Sequence, residues 1–85
     1  MQTQQGTVAL TRPSNGGVAL RVDDGSFVLA EQLDLQALAP GRRLSGRMDA
    51  IGIEDWVDAA GSGERFAVFI QAYGLSWEAV RDELA

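Results

Sequence analysis

The stretch VALRVDDGSFVLAE, residues 18–31, decides the fold. Large apolar residues occupy every second position from 18 to 22, a period that is typical of a half-buried strand. Asp24-Gly25 follows, a pair that favours a tight hairpin turn because glycine accepts the positive φ that such a turn requires. Residues 26–31 then predict the returning strand. The hairpin indicates a β-rich fold.

Further strands are predicted on both sides of this hairpin. Residues 6–11 alternate in the same way, and the loop 12–17 follows them with its proline and Asn-Gly-Gly run. Residues 44–48 predict a fourth strand with Leu44, Gly46 and Met48 inward, where the glycine indicates a bulge or bend. Residues 66–73 are apolar on both faces and predict a central strand that Gly74 ends.

Three segments carry helical spacing. Residues 33–39 place leucines at helical spacing before Pro40-Gly41, which predicts a short helix or 3₁₀ turn. Ser76 predicts the N-cap of a helix over 76–85, with an apolar stripe of Trp77, Val80 and Leu84. Residues 51–60 fit either a helical face or an extra strand, and this choice stays open.

The order of these elements resembles the oligonucleotide/oligosaccharide-binding (OB) fold, a five-stranded Greek-key barrel. The resemblance rests on Gly6 at the start of strand one, on the Asp24-Gly25 hairpin, and on residues 39–46 leading from a short helix into strand four. It implies a mainly β fold, a small five-stranded barrel with a short internal helix and a C-terminal helix capping one open end. An SH3-like barrel fits the same pattern. We expect residues 1–5 to be a flexible N-terminus and residues 6–85 to form one domain.

The residue types that are missing narrow the function. The chain contains no histidine, cysteine or lysine. It therefore lacks the usual general base, the thiolate nucleophile and the Schiff-base amine, which predicts a protein that is not an enzyme and uses no cofactor. No apolar run is long enough to span a bilayer, and the first five residues lack the basic start and apolar stretch of a signal peptide, so a cytoplasmic protein without membrane contact is expected.

Charge is divided unevenly along the chain. Residues 1–47 carry five arginines and four acids, whereas residues 48–85 carry two arginines and eight acids. An exposed tryptophan among carboxylates can anchor a basic protein partner. The leading hypothesis is therefore a protein-interaction, inhibitory or adaptor module that acts through this acidic half. The alternative for its tryptophan is packing against the barrel. The candidate interaction residues are Trp56, Glu54, Asp55, Asp58 and Glu64.

The competing hypothesis is a barrel that binds single-stranded nucleic acid, since arginines can contact phosphates. Its candidate residues are Arg21, Arg42, Arg43, Arg47 and Arg12. A homodimer is a further expectation, because residues 66–73 are apolar on both faces and one barrel core uses only one of them. No metal site is expected, since Asp23, Asp24, Asp55 and Asp58 lack the spacing of a calcium-binding loop.

Overall fold

The computed structural model describes residues 3–12 and 14–84, apart from the side chain of Leu84. Within these residues there are six strands and one helix. The elements are β1 (Gln4–Arg12), β2 (Gly17–Val22), β3 (Phe27–Gln32), β4 (Arg43–Gly46), β5 (Gly52–Asp58), β6 (Arg65–Leu75) and α1 (Trp77–Leu84). β1 begins two residues earlier than predicted, and Gln4 and Gln5 pair with β4. Residues 1 and 2 of the predicted flexible N-terminus lie outside the described residues.

The six strands form a closed antiparallel barrel in the order β1-β2-β3-β6-β5-β4, and β4 pairs back with β1. Two three-stranded meanders, β1–β3 and β4–β6, are therefore joined by the segment 33–42. The mainly β fold, the small closed barrel and the C-terminal helix are confirmed, and the architecture is consistent at fold level with an OB-like barrel. There are six strands instead of five because the ambiguous stretch 51–60 contains β5.

The barrel interior is filled by the inward side chain of every second residue. The hairpin β2–β3 contributes the predicted side chains of Val18, Leu20 and Val22, all of them buried. Leu44 and Met48 are buried as predicted. The remaining interior side chains of the main core are Val8, Val28, Ala30, Trp56, Phe66, Val68 and Ile70.

Trp56 is the largest fully buried side chain, and it packs against a glycine. A Cβ atom built on Gly46 would lie 2.7 Å from Cδ1 of Trp56, which is closer than real Cβ contacts. The predicted glycine in the fourth strand is therefore needed for the close approach of the indole. The indole N–H donates a hydrogen bond of 2.8 Å to the backbone oxygen of Arg47, so the one polar atom of the ring is satisfied inside the core.

The predicted internal helix over residues 33–39 is wrong; the segment is irregular. Asp34 explains the difference, because its carboxylate accepts hydrogen bonds from the backbone N–H of Ala67 at 2.8 Å and of Gln36 at 3.2 Å. It also accepts one from the side-chain amide of Gln32 at 2.7 Å. Such side-chain bonds compete with the helical ladder. The segment is thereby fixed to β6, and Leu38 packs against the barrel core.

The helix α1 begins as predicted but packs elsewhere than expected. The Oγ atom of Ser76 accepts a hydrogen bond of 3.2 Å from the backbone N–H of Ala79, the bond of an N-cap residue. Val80 is fully buried in a second small cluster with Ala19 and Leu29. These two residues alternate with inward ones, so they lie on the outer surface of β2 and β3. The helix therefore covers an outer face of the barrel and does not cap its open end.

The structure corrects one further prediction near the helix, and a second concerns a side chain outside the described residues. Gly74 does not end the last strand: it adopts a φ of +67° within β6, which continues to Leu75. The Trp77 ring lies 5.5 Å from the Phe27 ring, centroid to centroid, and is partly exposed. The predicted contribution of Leu84 to the apolar stripe concerns a side chain outside the described part.

We expect Trp56→Ala to lower the free energy of unfolding by about 3–5 kcal/mol, because it leaves a cavity where a fully buried indole packs. Trp77→Ala is the matched control and should cost less than half as much, since that ring is partly exposed. Urea unfolding followed by circular dichroism measures both. Equal losses for the two variants would contradict the placement of Trp56 in the core.

Candidate protein-interaction surface

The structure does not assemble the acidic site as predicted around an exposed tryptophan. Trp56 is fully buried, so it packs in the barrel and cannot contact a partner. Its neighbours on β5 alternate: Glu54 is half-buried and Asp55 is exposed on the outer surface. Among Glu54, Asp55 and Trp56 of the predicted site, only Asp55 has an exposed side chain.

The other two predicted acids are held by an arginine. Nε of Arg42 lies 3.3 Å from Oδ1 of Asp58, and its Nη2 donates a hydrogen bond to Glu64. Asp58 is buried and also accepts a 2.9 Å hydrogen bond from the backbone N–H of Ser62. Hydrogen bonds from Ser62, followed by that from Arg42, lower the pKa of Asp58 to about 2. The Arg42 guanidinium lies 5.1 Å from the centroid of the Phe66 ring. This cluster joins the start of β4 to the turn between β5 and β6.

Arg43 makes a second set of contacts across the closure of the barrel. Its two terminal nitrogens donate to the two carboxylate oxygens of Asp23 at 2.7 and 2.9 Å. They also donate to Oγ1 of Thr7 and Oε1 of Gln5, each at 3.0 Å. The hydrogen bonds from Arg43 lower the pKa of Asp23 below its ordinary value. Arg43 is thus engaged within the molecule.

The predicted arginine face is only partly brought together. Arg21 and Arg43 are both paired in register with Thr7, on either side of β1. Nε of Arg47, which follows the end of β4, lies 3.5 Å from Oδ1 of Asp49. Arg12 lies at the far end of β1. Three of the five predicted arginines are therefore in ion pairs, and the five do not form one surface.

An exposed apolar surface lies on the outside of β5 and β6. Since Trp56 points inward, Ile53 points outward on the same strand, and it is paired in register with Phe69 of β6. Ile53 is 69% exposed and Phe69 37%. The residue after β3 extends this surface, because the backbone N–H of Leu33 donates to the backbone oxygen of Ala67 at 2.8 Å. We call this surface the β5–β6 outer face; it comprises Leu33, Ile53, Val57, Ala67 and Phe69.

Charged side chains are interspersed at the margin of the β5–β6 outer face. Glu31 is paired in register with Phe69, and Asp55 with Ala67. Arg65 lies at the opposite end, where β6 begins. Within residues 3–12 and 14–84, none of these three charged groups has an ion-pair partner. Two carboxylates and one guanidinium are therefore available to a partner at this face.

The sequence predicts only the β6 part of this surface. The second apolar face of the last strand, with Ala67 and Phe69, was expected to need a cover. The sequence does not single out Ile53 and Leu33, because residues 51–60 fit either a helix or a strand and residues 33–39 predict a helix. The alternation of Ile51, Ile53, Asp55 and Val57, taken as a strand, is the signal that would have found the rest.

Comparison with known proteins identifies no relative. No protein-family model, no curated protein and no solved structure matches this chain. In the part of the chain that the structure describes, no group of three or more acidic side chains could hold a metal ion. In the same part, α1 is too short and too polar to cross a membrane.

We expect the free energy of unfolding to fall as the pH is lowered from about 4 to about 2. The folded-state pKa of Asp58, about 2, lies below the ordinary 3.8, so the unfolded chain takes up this proton first and gains stability relative to the folded one. Asp58→Asn should reduce this dependence of the unfolding free energy on pH. Part of the dependence should remain, because the pKa values of Asp23, Asp24 and Asp34 are also lowered. Urea titrations between pH 2 and 6 measure it. An unchanged slope in the variant would contradict the assignment.

Proposed function

We propose that this chain is a non-catalytic protein-interaction module that contacts its partner through the β5–β6 outer face. The observation that carries the proposal is the exposed cross-strand pair Ile53–Phe69 at the centre of that face. Burying one such side chain contributes about 1.5–3 kcal/mol. Because both residues sit on strands of a closed barrel, little ordering is needed when a partner binds.

The partner that fits this face carries both apolar and basic side chains. Glu31 and Asp55 border the apolar centre, and the whole chain has a net charge of −5. Complementary positive charge would steer the encounter and disfavour acidic competitors. Since every strand is paired on both sides, a partner cannot add a strand at an edge. An amphipathic segment laid across β5 and β6 meets both conditions.

Two observations support a binding role over catalysis. The chain lacks histidine, cysteine and lysine, which perform most proton transfer and nucleophilic attack. Its buried carboxylate, Asp58, is held in the charged form by Ser62 and Arg42 and is therefore a poor proton acceptor near neutral pH. The competing proposal of nucleic-acid binding is less well supported, because Arg42 and Arg43 already contact carboxylates within the chain.

We expect Ile53→Ser and Phe69→Ser to abolish capture of the partner. Each variant removes apolar contact area at the centre of the face, and surface substitutions of this kind usually change stability little. The measurement is an affinity pull-down from the native host, analysed by mass spectrometry, followed by titration of the captured protein with purified chain. Raised salt should weaken this binding as well.

Tyr73→Ser is the matched control, since it removes an exposed aromatic ring of β6 outside the β5–β6 outer face. It should capture the partner as the unmodified chain does. A partner retained equally by all three variants would exclude this face. Loss of the captured material after nuclease treatment would favour the nucleic-acid alternative instead.

A further inference from the structure

The β5–β6 outer face has a small residue at its centre. Ala67 points outward there, because its neighbours Phe66 and Val68 are buried inside the barrel. The next outward residue along β6 is Phe69, and Leu33 of the adjoining segment lies beside Ala67. The methyl group of Ala67 is the smallest side chain of this face. Larger side chains therefore surround a shallow depression above it.

The backbone beneath this depression is held by hydrogen bonds. The N–H of Ala67 donates to Oδ2 of Asp34 at 2.8 Å, and its backbone oxygen accepts a bond of 2.8 Å from the N–H of Leu33. On its other side Ala67 is paired in register with Asp55 of β5. Because the floor of the depression is already ordered, a partner that fills it loses little free energy in fixing this side of the contact.

Another outer face of the same barrel shows how such a place is filled. On β2 and β3, Ala19 and Leu29 are paired in register, and Val80 of α1 is fully buried against them. There an alanine beside a leucine receives an apolar side chain from a helix. Ala67 beside Leu33 repeats this combination of a small and a large outward residue, and Leu33 is 49% exposed.

The width of the β5–β6 outer face suits one α-helix. The face spans the segment after β3, then β6, then β5. Neighbouring strands lie about 4.8 Å apart, so the face is roughly 10 Å across, the diameter of a helix with its side chains. An extended segment laid there would bury backbone groups without partners, because the strands of the barrel are already paired on both sides. A helix satisfies these groups internally.

Two acids lie on opposite sides of this helix-sized strip. Glu31 of β3 is paired in register with Phe69, and Asp55 of β5 with Ala67, so β6 runs between the two carboxylates. Neither forms an ion pair within the part of the chain that the structure describes. Cations on both flanks of the apolar stripe of a helix would meet one carboxylate each.

We propose that the partner contributes an amphipathic α-helix, which places one large apolar side chain in the depression above Ala67. This inference rests on the proposed function and specifies the segment that docks on the β5–β6 outer face. Apolar side chains about one turn away on the same helix face cover Ile53 and Phe69. Arginine or lysine residues on its two flanks pair with Glu31 and Asp55.

The test uses a fluorescein-labelled helical peptide of about 15 residues, roughly 22 Å long. It carries leucines along one face and arginines on both flanks, and a side-chain staple on the remaining face keeps it helical. Fluorescence anisotropy should give a dissociation constant of about 100 μM or tighter. A peptide of the same composition with its leucines distributed around the helix should bind at least about tenfold more weakly. Replacing the central leucine by alanine should have the same effect, because that side chain is then no longer buried.

Ala67→Leu should weaken binding of the leucine-faced peptide at least about tenfold, because the new side chain fills the depression. A face that binds through apolar area alone would bind this variant at least as well as the unmodified chain. Ala37→Leu is the matched control, since it makes the same exchange at an exposed residue outside the face, and it should bind normally. Equal urea midpoints for the two variants verify that both are folded.

The flanking charges are tested in the same assay. Glu31→Gln and Asp55→Asn should each weaken binding about two- to fivefold at low salt, and this difference should shrink as the salt concentration is raised. Full binding by both variants would contradict the placement of the cations.

Three results would overturn the helix: no binding at about 1 mM peptide, equal binding of the rearranged peptide, or equal binding by Ala67→Leu and Ala37→Leu. The proposed function is decided separately. If Ile53→Ser still abolishes capture of the host partner, the face binds a segment of another shape. If Ile53→Ser and Phe69→Ser both retain the partner, the face itself is excluded and this inference fails with it.

Discussion

The burial of Trp56 against Gly46 is the constraint on which the rest of the structure depends. Side chains of a strand alternate between its two faces, so an indole fixed inside the barrel sets the direction of every neighbour on β5. Ile53, Asp55 and Val57 are therefore turned outward. The packing of Trp56 against Gly46 thus also places the apolar residues Ile53 and Val57 on the outer face. A shift of β5 by one residue would move both sets of side chains to the opposite face.

The closure of the barrel accounts for much of the charge pattern. β4 is only four residues long, yet it must bridge β1 and β5. Two arginines at its start add contacts beyond the short strand pairing: Arg42 forms an ion pair with Asp58, and Arg43 forms one with Asp23. These arginines thus link strands to one another and engage their carboxylate partners within the molecule, Asp58 in a buried position and Asp23 in an exposed one. The charges that remain available, such as Asp55 and Arg12, are those without such a role.

The sequence predicts the fold where a regular period of two is bounded by a clear turn. The hairpin of residues 18–31 alternates clearly up to its Asp24-Gly25 turn, and its strands formed as predicted. Prediction failed where local polar contacts or outer apolar residues interfere. The carboxylate of Asp34 accepts a hydrogen bond from the backbone of β6, and the segment is irregular instead of helical. This contact is distant in sequence, so no local pattern reveals it. In β5 the outward residues Ile53 and Val57 are apolar and the inward residues Glu54 and Asp58 are acidic, which obscures the usual period of two. The residues of the surface that we propose to be functional are therefore among those that make this strand hard to predict.

The two outer faces of the barrel allow a final comparison. On one, Ala19 and Leu29 are outward apolar residues, and α1 covers them with Val80. On the other, Ile53 and Phe69 are larger and equally outward, yet within residues 3–12 and 14–84 no element packs over them. An apolar sheet face loses favourable burial when it stays in water. Because a closed barrel offers no free edge for a partner strand, an exposed apolar sheet face such as this one is a place where burial against a partner can supply binding energy.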